Sequence, residues 1–367
     1  MTNHEITSKQ MQAIFILFWA GSAVVTGINP DAKQDSWISI LFAGIMILPL
    51  LALYVRIIKL YPGLNLFEIV FKIFGNIFGR IISSFFVLYF IHLGGMVTIV
   101  FTSFVQILNM PETPELLMTT FIVLLASWSA KNGPENIGRL SKFIWPLVAV
   151  SIGITFIVAI KNMDINYIKP IMETNFKSLL SAAFNFSALP LAEIVLCICF
   201  FSSVNTKAKP AKIFTKSLIS FIILMLAIVF RNILVLGIPT ALIFYHPSYQ
   251  SVSIISVGDF FTHIEVLIGI NLLLAGFIKV TVCLYASSLG ISKILNISDQ
   301  KTIIVPCALL INTITGMLYS NPQANLMFIK VYPFYFFPIQ VILPFIIWIG
   351  AEIQSKINTA GAQSKAQ

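Results

Sequence analysis

Apolar residues run along this chain in stretches of helix length, parted by short polar connections, with little of the period-2 alternation that marks barrel strands. In windows of about 20 residues the stretches fall at 11–29, 37–58, 81–108, 116–130, 143–160, 180–203, 217–239, 264–290, 302–320 and 334–353. The pattern predicts an all-α polytopic membrane protein with ten transmembrane helices, the fourth of them short. The connections reach only about 20 residues, too few to bury a core of their own, so residues 1–353 read as a single transmembrane domain and 354–367 as a short polar cytoplasmic tail. The first apolar run lacks the basic, apolar and small-residue order of a leader and is expected to be retained.

Breakers inside the stretches refine the picture, because freed backbone groups at membrane depth need a cavity, a ligand or a neighbouring helix. The first stretch carries Gly21-Ser22 and Gly27 and ends at Asn29-Pro30; the sixth carries Asn185, Ser187 and Pro190 just before Glu193. First and sixth of ten are the positions that open each half of a five-plus-five inverted repeat, here about 10–165 and 166–353. Small residues that let helices pack closely, with an ordinary kink at Pro190, are the plainer alternative.

Composition agrees with the membrane class: 58% of residues are hydrophobic, 10% are charged and the mean hydropathy is +0.93. With both ends inside, sixteen of the 23 Lys and Arg fall on the cytoplasmic side: Lys9, Arg56, Lys59, Lys72, Arg80, Lys131, Arg139, Lys142, Lys207, Lys209, Lys212, Lys216, Lys293, Lys301, Lys356 and Lys365. Lys33, Lys161, Lys169, Lys177 and Lys330 fall outside, so the positive-inside rule predicts N-in and C-in. The net charge of +9 is then a topology signal with some attraction to the anionic surface of the bilayer, and nucleic acid is not an expected partner. Cys197, Cys199, Cys283 and Cys307 lie in apolar stretches without metal or disulfide spacing and read as core residues.

Two basic residues remain inside stretches. Lys279 sits near the middle of the eighth, where a lone ammonium is costly and marks a functional position, unless it pairs structurally with Glu193 or snorkels. Glu193, beside the break in the sixth stretch, reads equally as a proton relay or a structural partner. Arg231 is expected to be an interfacial or structural cation and His92 a core histidine. There is no P-loop, HExxH, CxxC or GxSxG, so neither an enzyme nor a nucleotide-driven pump is expected, and no cofactor or metal.

The segments DSWIS (35–39), YPGLNLFEI (61–69), NGPENIGRLSKFIWPL (132–147), IKPIME (168–173), PLAEIVL (190–196), RNILVLG (231–237), GDFFTHIE (258–265) and GFIK (276–279) together resemble the endospore germination permease family, the B subunits of bacterial spore germinant receptors. The resemblance runs from about Gln10 to Ile353 and extends to the amino acid/polyamine/organocation transporters. It implies a LeuT-like fold of ten helices and a place in the spore inner membrane. It also implies a larger membrane A subunit and a lipoprotein C subunit as partners, and a small-molecule germinant.

Carried over residue by residue, the fold's site would have its first break at Gly21, taking the carboxylate of an amino acid germinant. The second glycine common there in the wider superfamily is absent, so Ser22 or Thr26 would donate instead. The break from Ser187 to Pro190 would face it, and Tyr89 and Leu93 would line a wall. Lys279 would be a built-in cation at the place of an ion in sodium-coupled relatives. Three functions stay open: a germinant-sensing subunit, a proton-coupled or uniport amino acid transporter, and a structural or ion-conduit subunit of the complex.

Overall fold

The computed structural model describes residues 5–24, 28–108, 112–205, 207–255, 263–318 and 322–366. Their regular structure is helical, apart from one isolated parallel bridge between Ile6 and Val204.

Helix α1 (Ser8–Ala23) opens on a capping box: Gln10 N donates to Thr7 Oγ1 at 3.3 Å and Thr7 N donates to Gln10 Oε1 at 2.8 Å, satisfying two orphan donors reciprocally. Just before it, Ile6 N donates to Ser203 O at 2.7 Å and Asn205 N donates to Ile6 O at 3.2 Å. From Ala13 to Gly21 every residue of α1 is buried, as its nearly all-round apolar sequence requires. The second predicted span is two helices in line, α2 (Ser36–Met46) and α3 (Leu48–Leu60), with Pro49 in the first turn of α3, where a missing N–H costs nothing.

The third helix, α4 (Leu66–Leu108), starts well before the predicted 81, because an additional amphipathic piece precedes the apolar run and joins it at Gly75 (φ 70, ψ −168). Then come α5 (Glu115–Lys131) and α6 (Gly133–Ala159). The sixth span is broken as predicted. Helix α7 (Phe176–Ala188) stops at Leu189, which is extended, and after Pro190 the chain continues as a buried 3-10 helix, Leu191–Ser203. Thirteen residues is long for a form that seldom exceeds one turn.

Helix α8 (Pro210–Ala241) bends at Gly237 (φ 66, ψ 159), and short α9 (Pro247–Ser253) leads to α10 (Val266–Ile294) and α11 (Lys301–Leu318). Helices α12 (Pro322–Phe337) and α13 (Leu343–Ala366) are joined by a π turn at Pro338–Ile342. Among the described residues, eight helical segments are long and apolar enough to cross a membrane. Helices α1 and α5, at the first and fourth predicted positions, are 16 and 17 residues long.

The first span departs from expectation. Helix α1 runs unbroken through Gly21 and ends at Ala23, and Ile28 and Asn29 are not helical, so Gly21 is not a break between half-helices. Thr26, Gly27 and most of the 258–265 segment lie outside the described residues.

Helix α10 and α1 form the centre, with α10 packed on α4, α1, α6 and α5. The periphery presents Phe121, Leu124, Trp128, Phe143, Ile157, Leu309 and Ile353 outward, as lipid contact requires. Long-range contacts sort the connections onto two faces. On one, Ile6 meets Ser203, Arg56 meets Glu352 at 2.5 Å, Tyr61 meets Gln354 and Lys293 meets Glu68 at 2.7 Å. On the other, Asp35 accepts from Met172 N and Thr174 N, and Asp164 N donates to Leu234 O.

Candidate functional site

The break between α7 and the 3-10 helix lies against the C-terminal turns of α1 and the middle of α10. Glu193 is in the first turn after the break, and its Oε2 accepts from Lys279 Nζ at 2.5 Å; both side chains are wholly buried. Lys279 Nζ also donates to Ser22 Oγ at 2.9 Å and stands 5.0 Å from the centroid of the Phe18 ring, a cation–π distance. These bonds go to side chains of α1 and the 3-10 helix. Between snorkelling and pairing, the structure has pairing.

The other carboxylate oxygen extends the network. Tyr332 OH donates to Glu193 Oε1 at 2.8 Å. Gln340 Nε2 donates to Tyr89 OH at 2.7 Å and to Tyr332 OH at 3.2 Å, and the two phenol oxygens are 3.2 Å apart. Both carboxylate oxygens, the ammonium and the two phenol hydroxyls thereby have partners in this apolar interior, which is what a buried ion pair needs to be tolerated. The exposed backbone of the break is also satisfied by side chains: Gln340 Nε2 donates to Ala188 O at 3.2 Å and Trp19 Nε1 to Leu191 O at 3.1 Å. The network thus joins α1, α4, α10, α12 and the π turn around one break.

Gly21 has a packing role in this geometry. A Cβ there would lie 2.7 Å from Lys279 Cβ and 2.9 Å from Ala275 O, so only glycine lets α10 approach closely enough to lay its lysine across α1. Tyr89 belongs to the network through its hydroxyl, and Leu93, one turn on, is buried in the adjoining core. Ser187 is turned away from the pair: its Oγ donates to Ala183 O at 2.8 Å and to Ala43 O at 3.4 Å, holding α7 to α2. Pro190 caps the 3-10 helix. Tyr332, Gln340 and Trp19 are participants the sequence reading did not single out. Gln340, an amide inside the apolar run 334–353, was the available signal.

A second polar cluster lies towards the other face. Arg231, expected to be an interfacial or structural cation, is wholly buried and so takes the structural place of the two. Its Nη1 donates to Thr155 Oγ1 at 2.7 Å, its Nε to Ser251 Oγ at 3.2 Å and its Nη2 to Asn232 Oδ1 at 3.1 Å, tying α8 to α6 and α9. Nearby, His246 lies against Phe104, and burial lowers its imidazole to about 4. His92 packs on Phe328 and Phe336, and the four cysteines are free and buried.

A family model described as spore germination protein matches residues 5–325. Spore germination protein KB of Bacillus subtilis (strain 168) is 24% identical over 362 residues, covering 97% of each chain. Putative spore germination protein YfkT of the same organism is 23% identical over 320 residues, 87% of each chain, and spore germination protein XB of Bacillus anthracis is 21% identical over 281 residues, 76% of each. Among solved structures, the nucleobase-cation-symport-1 family transporter MHP1 superposes with a TM-score of 0.69 at 13% identity, over 93% of this chain and 78% of its own. A Na+-coupled sialic acid symporter gives 0.65 at 14% identity, over 90% and 77%. MhsT in complex with L-phenylalanine gives 0.53 at 13%, over 93% and 97%. At these identities the likeness is one of fold, the LeuT-like transporter fold.

Proposed function

The chain belongs to the spore germination protein family, whose model spans residues 5–325, and from that premise we propose that it is the membrane subunit of a spore germinant receptor, binding a small nutrient, an amino acid, to trigger germination. The observation that carries the reading is the buried Glu193–Lys279 pair at the break after α7, where charge, freed backbone and aromatic side chains converge. An ion pair kept at this depth is an expensive way to hold helices together, and such groups in membrane proteins mark pathways and binding sites. Ligand contacts are assigned to Gly21, Ser22, Tyr89, Leu93, Pro190 and Lys279, with Glu193 and Lys279 as the charged pair and Ser187, turned away, left to hold α7 to α2.

The receptor crosses the spore inner membrane ten times, N-in and C-in, as two repeats of about 10–165 and 166–353, and its partners are a membrane A subunit and a lipoprotein C subunit. The sorting of connections onto two faces and the basic residues of one face support this topology. Ligand binding shifts the complex by differential affinity for two states. A transporter reading is the second one, favoured by the fold shared with symporters.

The test uses Lys279→Ala and Gly21→Leu, each checked for assembly in the membrane, with the germination dose response and uptake of labelled amino acids into vesicles as readouts. A rightward shift of at least about tenfold in both, without concentrative uptake by the unmutated protein, is expected; one such decade is about 1.4 kcal/mol of binding. Concentrative uptake favours the transporter, and an unchanged dose response in both variants removes the site.

A further inference from the structure

The ammonium of Lys279 and the carboxylate of Glu193 are wholly buried and in direct contact at 2.5 Å, and the break, Phe18, Tyr332 and Tyr89 close around them. A molecule that enters between α1 and the break therefore has to part the pair. Parting it strands one positive and one negative group in an apolar interior, which is strongly unfavourable unless both are met again. A neutral ligand meets neither charge; an acid or an amine alone meets one.

We infer that the Glu193–Lys279 pair is a resident counterpart of the ligand, a charge lock that opens only for a molecule carrying one ammonium and one carboxylate. The inference rests on the proposed ligand-binding role of this site and adds to it a chemical selection rule. On entry, the ligand carboxylate takes the place of Glu193 beside Lys279 and Ser22, and the ligand ammonium takes the place of Lys279 beside Glu193. The number of buried charges of each sign in contact stays balanced, and no proton has to move. Phe18, which lies under the Lys279 ammonium, and Tyr332, which donates to Glu193, hold the two ends of the lock apart in orientation, so ligand polarity is set before its side chain is read. The same pairing makes the closed lock a competitor of the ligand, which keeps the resting state unliganded at low nutrient.

The experiment measures thermal stability of the full-length protein, extracted in mild detergent with whatever subunits accompany it. The panel comprises the free amino acids, the N-acetyl derivative and the amide of each, monosaccharides and nucleosides. At least one free amino acid is expected to raise the melting temperature while its N-acetyl derivative and its amide, at the same concentration, do not. In Glu193→Gln the preference should pass to the N-acetyl derivative, and in Lys279→Gln to the amide, with binding of the free amino acid weakened on the order of 100-fold in each. Stabilisation of the unmutated protein by a sugar or nucleoside alone, or equally by the blocked derivatives, overturns the lock and leaves a nutrient-binding subunit standing. A panel without any stabilising member overturns both. If the variants do not fold, the three-way comparison on the unmutated protein decides.

Discussion

At the scale of single residues, the chemistry of the centre is carried by side chains of two kinds. Glu193 and Lys279 were legible in the sequence, because a charge inside an apolar stretch stands out whatever the fold. Tyr332 and Trp19 were not, since a tyrosine or tryptophan among 32 Phe reads as packing until a partner is seen. Gln340 is the sharpest case, because one amide serves two phenol oxygens and the Ala188 carbonyl. Gln340→Leu should therefore lower stability by about 1–3 kcal/mol, the cost of leaving buried polar groups unmet, read as a fall in melting temperature without loss of the Glu193–Lys279 pair.

Arg231 makes a complementary point. Its bonded partners among the described residues are hydroxyls, an amide and a carbonyl, so its planar fork matters more than its charge. Arg231→Lys should destabilise nearly as much as Arg231→Gln in a thermal melt. His246 gives a pH signature: held near 4 by burial against about 6.5 unfolded, it is neutral in the fold, and the unfolded chain binds the extra proton. Stability should fall as pH drops from 6.5 towards 4, by about 3 kcal/mol in full, and His246→Phe should flatten that slope.

At the scale of elements, the apolar stretches predicted where helices lie but not their form. A run that is apolar on every side gives no period, so residues 191–203 could not be told from an α-helix, although each face of the resulting 3-10 helix is buried. The break at Pro190 was legible because proline cannot continue the ladder; the supposed break at Gly21 failed because a glycine serves close packing as well as bending. Among the described residues, the two glycines that bend helices are Gly75 and Gly237, with φ near 70 and extended ψ, a region essentially closed to other residues. Gly75→Ala and Gly237→Ala should each cost about 1–3 kcal/mol, and Gly237→Ala adds a Cβ 3.4 Å from the Tyr167 ring. Gly153→Ala, where a Cβ meets nothing within 4 Å inside α6, should be neutral or stabilising by up to about 1 kcal/mol. Thermal unfolding of the three side by side separates backbone conformation from packing.

At the scale of the whole molecule, the all-α membrane class followed from hydropathy, whereas the convergence of α1, α4, α10 and α12 on one break depends on long-range packing that no local pattern encodes. Orientation is open to direct measurement. The native cysteines are buried, so Lys209→Cys and Lys161→Cys introduce exposed thiols onto a quiet background. An impermeant maleimide should label Lys209→Cys only from the cytoplasmic side and Lys161→Cys only from the other. The two-way hydrogen bonding of Ile6 with Ser203 and Asn205 joins the start of α1 and the end of the 3-10 helix on one face, at the opposite ends of those elements from Ser22 and Glu193, which both bond Lys279 of α10. Mechanically that joint is a pivot pin: the two rods resist sliding past each other, so a wedge driven between them at Ser22 and Glu193, close to the ends far from the pin, swings those ends apart where the lever arm is longest.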